Sequence, residues 1–170
     1  IDANVPIYLD SPMAVEATLV FAKHPECFDQ ETLALLNRSN GTIKNLSLVK
    51  TREESKSLNK KSGPAIIMAS SGMCNAGRIK HHLANHISSP KNTICFLGYQ
   101  AEGTLGRIIL NGNSPVRILG ESHPVRAEIT VIKGISGHAD QKELLHWYSS
   151  IPQRPQTTFV VHGEHYASCE

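Results

Sequence analysis

The sequence predicts an α/β protein with a mostly parallel sheet flanked by helices. Three observations predict it. First, short apolar runs alternate with stretches of helical spacing along most of the 170 residues, the pattern of βαβ units. Second, Pro64-Ala65-Ile66-Ile67-Met68-Ala69 is almost wholly apolar, as expected of a central parallel strand covered on both faces. Third, the apolar runs end in short polar loops of small residues. These are Asp10-Ser11, Ser70-Ser71-Gly72, Gly98-Tyr99-Gln100 with Gly103-Thr104, and Gly137-His138. In an open α/β sheet that edge of the strands is where ligands bind.

The elements follow in order. Val5-Pro6-Ile7-Tyr8-Leu9 reads as a short buried strand. Ser11 can cap the next helix and Pro12 suits its first position. That helix runs to about Lys23, with Val15, Leu19 and Ala22 on one face. A second helix spans residues 29–38 and ends at Asn40-Gly41. Residues 43–49 form a strand, and Thr51 opens a short polar helix to Leu58. After the apolar strand at 64–69, a helix begins near Arg78. Residues 92–97 form the next strand and residues 105–110 the next helix. Residues 116–119 and 125–133 read as strands joined by a turn at 121–124. Asp140 is a good N-cap for a helix over 142–148, with Glu143 at the capping-box position. Thr157-Thr158-Phe159-Val160-Val161 is the last strand and runs into His162-Gly163-Glu164. Two histidines, His138 and His162, thus stand at the ends of two strands that flank one helix.

Composition narrows the function classes. The net charge is +2, so no global basic field marks a nucleic-acid binder, and polyanion contacts must come from local groups. Cys27, Cys74, Cys95 and Cys169 are widely spaced and form no Cys-x-x-Cys pair, which fits reduced cytosolic thiols. No apolar run approaches the ~20 residues of a membrane span, and no signal peptide is visible. The chain starts at Ile1 and stops after Cys169-Glu170. A fragment of a larger protein explains both ends.

Several strand-end groups could do chemistry. Ser70, Ser71 and Gly72 precede a helix, where exposed N–H groups attract anions, and Arg78 offers a fork of donors. The alternative is an ordinary βα turn. It is not a P-loop, because no Gly-Lys-Ser/Thr follows. Thr104 and Arg107 open the next helix and face the same crevice, or else are a cap and a solvated cation. His82 and His86 are one helical turn apart and could share a metal, although two ligands rarely hold zinc and a partly buried face is the better reading. His162, Glu164 and His165 offer local ligands that cannot complete a three-ligand catalytic site. His138 needs only position to act as a general acid.

Five stretches occur together and in order: Tyr8-Leu9-Asp10-Ser11-Pro12-Met13-Ala14; Ala69-Ser70-Ser71-Gly72-Met73 with Gly77-Arg78; Gly98-Tyr99-Gln100-Ala101-Glu102-Gly103-Thr104-Leu105-Gly106-Arg107; Ser136-Gly137-His138-Ala139-Asp140; and Val161-His162-Gly163-Glu164. In this the chain resembles the β-CASP nucleases of the metallo-β-lactamase fold, which include cleavage-and-polyadenylation endonucleases and their bacterial and archaeal RNA-processing relatives. The resemblance implies a β-CASP portion over residues 1–115 and a segment over 116–170 that returns to a metallo-β-lactamase αββα domain. It implies that His138 protonates the leaving oxygen or steadies the scissile phosphate, and that His162 ligates one of two zinc ions. Ser70, Ser71 and Gly72 match the loop along the cleft. Arg78, Gln100, Thr104 and Arg107 are weaker matches, as substrate or framework groups. The family's His-x-His-x-Asp-His cluster is not found in this sequence.

The resemblance therefore implies part of a cytoplasmic, zinc-dependent RNA nuclease. This chain would supply the substrate clamp and lack the N-terminal metallo-β-lactamase half. It would be inactive alone, because one matched ligand cannot hold two metals. Its partners would be RNA and the missing half, with no membrane, and a homodimer is left open. The alternative is a non-catalytic nucleic-acid-binding module.

Overall fold

The computed structural model describes residues 4–38, 45–132, 134–135 and 137–161. The chain forms two compact units, Ile1–Ile135 and Ser136–Glu170. No helix among the described residues is long and apolar enough to cross a membrane.

The first unit is α/β, with parallel pairing as expected. Strand β1 (Ile7–Asp10) is central in a parallel sheet of order β2-β1-β3, with β2 at Leu46–Leu48 and β3 at Ile66–Ala69. The apolar run at 64–69 is thus an edge strand among the described residues, not the central one. Period-two alternation instead marks β1: Tyr8 and Asp10 face inward and are buried. Tyr8, Val49 and Leu58 form a small core with Ile67 packed against it.

Helix α1 (Pro12–Phe21) starts as expected, with Ser11 Oγ accepting from Ala14 N at 3.3 Å. Its inward face is narrower than the spacing suggested. Only Val15 is buried, and Leu19 is 45% exposed beside Met13, Val20 and Phe21. Asp29 caps α2 (Gln30–Arg38) through Thr32 N. Thr51 caps α3 (Arg52–Leu58), and Glu54 reaches back to Thr51 N, completing a capping box.

A larger core joins α4 (Ile79–His86), β4 (Thr93–Leu97), α5 (Leu105–Leu110) and β5 (Val116–Ile118). Leu83, Ile87, Phe96, Ile109 and Ile118 fill it. Burying each such side chain contributes about 1.5–3 kcal/mol. Cys74 lies in the same core, and burial pushes its thiol up to about 11, which keeps it unreactive. Strand β7 (Glu128–Ile132) adds parallel to β4, from Thr93 opposite Glu128 to Leu97 opposite Ile132.

The expected turn at 121–124 is instead strand β6 (Glu121–His123), antiparallel to β5. The hairpin turns one step earlier, at Leu119-Gly120, where both residues have positive φ (52° and 90°). That is the requirement of a type I′ turn, in which Asn-Gly is favoured and leucine pays the left-handed penalty. Leu119→Asn is therefore expected to raise the unfolding free energy by about 0.5–1 kcal/mol, read as a higher urea midpoint at unchanged slope.

The second unit holds α6 (Gln141–Ser149). Its capping box is the one the sequence predicts: Glu143 N donates to Asp140 Oδ1 and Asp140 N donates to Glu143 Oε2, both at 2.9 Å. The expected strand at 157–161 is not formed. Phe159, Val160 and Val161 are exposed, and no described strand lies alongside to accept or donate ladder hydrogen bonds.

Candidate functional site

The site is built where β1 and β3 end side by side. Their register sets Asp10 opposite Ala69, so the next residues, Ser11 and Ser70, meet with their hydroxyl oxygens 2.8 Å apart. Asp10 is wholly buried beneath them. Ser55 Oγ and His82 Nε2 donate to its Oδ2, each at 2.6 Å, and Arg78 donates to Oδ1. Burial alone would raise the Asp10 pKa. The hydrogen bonds from Ser55, His82 and Arg78 outweigh it and hold the carboxyl below its ordinary value. Arg78 also donates to the carbonyls of Val49 and Lys50, both at 3.1 Å. One guanidinium thus ties the β3–α4 loop to β1 and to the entry of α3.

The loop after β3 is closed on itself. Ser71 N donates to Ala76 O at 3.1 Å, and Ser71 Oγ lies 3.3 Å from both Ala76 N and Ala76 O. Gly77 has φ +80° and sits against Ser70, whose carbonyl accepts from Ile79 N at 3.2 Å. Gly72 is exposed at the outer lip, with open space around its Cα.

The loop after β4 locks onto the first. Gln100 is buried, and its Nε2 donates to Gly72 O at 3.1 Å. Leu105 N donates to Asn75 Oδ1 at 3.0 Å and Gly106 N to Met73 O at 3.1 Å. Any side chain on Gly106 would collide with Gln100 Oε1, since a Cβ there would lie 1.8 Å from it. Thr104 caps α5 through Arg107 N, and Arg107 Nη1 donates to Gln100 O at 3.1 Å. In the first turn of α5 the N–H groups of Leu105 and Gly106 are thus taken by the neighbouring loop and that of Arg107 by Thr104, rather than left open to an anion.

Seven sequence-derived site residues thus come together in the first unit: Ser70, Ser71, Gly72, Arg78, Gln100, Thr104 and Arg107. Ser70, Ser71 and Gly72 form the surface, while Arg78 and Gln100 brace it from below. His138 lies in the second unit, exposed, just before α6. His162 lies outside the described residues, as do Glu164 and His165.

His82 and His86 do not face a shared ligand position. His82 is committed to Asp10, and both rings meet Asn59 Oδ1 at 3.0 Å, His82 through Nδ1 and His86 through Nε2. Burial first, then the neighbouring His82, lowers the His86 pKa. Sequence reasoning missed Asp10, Ser55 and Asn59 as the frame. The signal for Asp10 was a carboxylate at an inward position of an otherwise apolar strand.

Comparison with known proteins identifies the chain. Residues 1–109 match the Beta-Casp domain, and residues 122–169 match the Zn-dependent metallo-hydrolase RNA specificity domain. The chain belongs to the β-CASP family. It is similar to ribonuclease TTHA0252 of Thermus thermophilus, at 41% identity over 163 residues. It is also similar to the transcription termination factor FttA of Methanosarcina mazei (32% over 169 residues) and to an RNase J-like protein of Methanocaldococcus jannaschii (32% over 165 residues). These alignments cover 95–97% of this chain but only 26–37% of the relatives. The chain thus spans about a quarter to somewhat over a third of the curated relatives it matches.

One matched domain carries zinc in its description. Among the described residues no three His, Cys, Asp or Glu side chains gather to hold a metal ion. The described residues alone do not fit a zinc centre.

Proposed function

We propose that this chain is the substrate-gripping part of a zinc-dependent RNA-processing nuclease that hydrolyses phosphodiester bonds. The observation that supports it best is the braced ledge. Two strand-end loops, each matching a family motif, are locked together by three hydrogen bonds, Gln100 to Gly72, Leu105 to Asn75 and Gly106 to Met73, and Arg107 to Gln100 closes the second loop on itself. A surface fixed in this way can hold a flexible strand without first paying to order itself. On this reading RNA lies along Ser70, Ser71 and Gly72. His138 protonates the departing oxygen or steadies the scissile phosphate, and His162 is a zinc ligand. The remaining ligands come from a metallo-β-lactamase half outside this chain, so the chain is inactive by itself. A relative whose printed name is ribonuclease, at 41% identity, supports the RNA assignment.

The test uses the chain with a labelled single-stranded RNA and added zinc. We expect salt-dependent binding, no strand cleavage, and no zinc retained after dialysis. Cleavage that disappears in His138→Ala would overturn the inactive reading. Absence of RNA binding at low salt would overturn the gripping role itself.

A further inference from the structure

We propose that the cleft between α3 and α4 is a second phosphate subsite, which takes the RNA backbone as it leaves the ledge. The inference rests on the RNA reading above and adds a site to it. The cleft has a volume of about 780 Å³ and is bounded by Arg52, Lys56, Asn59, Arg78, His81 and Asn85. That is enough room for a nucleotide-sized group.

Its chemistry has one sign. No carboxylate lines it. Asp10, which Arg78 of the lining holds, is wholly buried and is taken up by Ser55, Arg78 and His82. On α3 itself, Glu54 is taken up by Lys50 N and Thr51 N, and Glu53, exposed beside Arg52, is not among the residues that line the cleft. Arg52 and Lys56 stand one helical turn apart, so their side chains lie on one face of α3. Both are exposed, and neither side chain makes a hydrogen bond or ion pair with a described residue. Two unspent cations on one wall and no anion opposite make a place for phosphate.

Position supplies the second argument. Ser70 and Gly77 also border the cleft, so its rim is the start of the ledge. A strand held along Ser70, Ser71 and Gly72 passes directly into it. The floor is polar as well. Asn59 Oδ1 faces His82 and His86, which leaves its amide nitrogen to donate. Asn85 Nδ2 donates to His81 O at 2.7 Å, which leaves its oxygen to accept from a ribose hydroxyl.

The test measures the affinity of the full chain for a fluorescein-labelled single-stranded oligouridylate across a salt series. Arg52→Ala/Lys56→Ala is compared with Lys91→Ala/Arg126→Ala, an equal charge change elsewhere on the first unit. The cleft variant is expected to bind about tenfold more weakly, a loss in the range of two phosphate ion pairs. Its plot of log affinity against log salt should be shallower by about 1.4, or 0.7 for each lost phosphate contact on a single strand. The control should keep the slope of the parent chain. Equal losses in the two variants would overturn the subsite and leave the ribonuclease reading standing. Failure of the parent chain to bind the RNA would overturn that reading and this one with it. Arg52→Lys/Lys56→Arg, which keeps both charges, should restore the slope, and a slope that stays shallow would also overturn the proposal.

Discussion

Asp10→Ala is expected to cost about 3–5 kcal/mol of unfolding free energy, the range seen when one partner of a buried ion pair is removed. The side chain is wholly buried and accepts from three donors on three other segments. Without it, the partly buried Arg78 guanidinium and the buried His82 ring lose their shared partner. Arg78 would keep its bonds to Val49 O and Lys50 O, so it would not leave, and its charge would remain uncompensated. The expected observation is a large fall in urea midpoint. A change below about 1 kcal/mol, the size of an exposed pair, would show that water reaches the pair and that the network is not buried as described.

The same residue sets a pH limb. Its pKa is depressed in the fold relative to the ordinary value of 3.8. A depressed carboxylate stabilises the fold above its unfolded pKa, and that contribution is lost as pH falls through the folded one. Stability should therefore drop as the pH is lowered below about 4, where unfolded chains begin to take up the proton. Asp10→Asn removes this titration while filling the same volume. The variant should be less stable at neutral pH and lose less than the parent chain on acidification. A parallel loss in both would assign the acid limb to other carboxylates.

What the sequence made legible was local. Asp140 and Glu143 are three residues apart, and that spacing alone defines a capping box, so α6 begins where it was expected. Thr104 at the head of α5 is a case of the same kind. The strand-end loops were legible because small polar residues punctuate apolar runs. The frame beneath them was not. Asp10 meets Ser55, Arg78 and His82 across separations of 45, 68 and 72 residues, and no local pattern encodes that. His82 and His86 showed a metal-like spacing, yet an aspartate and an asparagine from distant segments claim both rings. The hairpin was misplaced because leucine is a poor turn residue. Leu119 adopts the left-handed conformation that the tight β5–β6 pairing imposes, against its own preference. The run at 157–161 has the composition of a strand, and composition says nothing of whether a neighbour exists to pair with it.

Gly77→Ala should be the most damaging substitution on the ledge that removes no interaction at all. The backbone there has φ +80°, a conformation that costs an L-residue about 1–2 kcal/mol. The added Cβ would also lie 2.3 Å from the Ser70 carbonyl oxygen, 2.9 Å from its carbon and 3.0 Å from Ser71 N. All three are backbone atoms, so no rotamer change relieves the contact. Ser70 must move, and its carbonyl also accepts the Ile79 N–H at the head of α4, while its hydroxyl meets Ser11. The combined cost should exceed about 3 kcal/mol, since strain and a broken helix start add to the conformational penalty. Gly72→Ala, five residues away, is the matched control. Its φ is not in the left-handed region and a Cβ there meets nothing within 4 Å, so its stability should stay within about 0.5 kcal/mol of the parent chain. The pair of urea midpoints separates a ledge held rigid by close backbone contact from one that merely passes near. Equal midpoints for the two variants would mean that the loop yields, and that its shape is set by whatever binds it rather than by the fold.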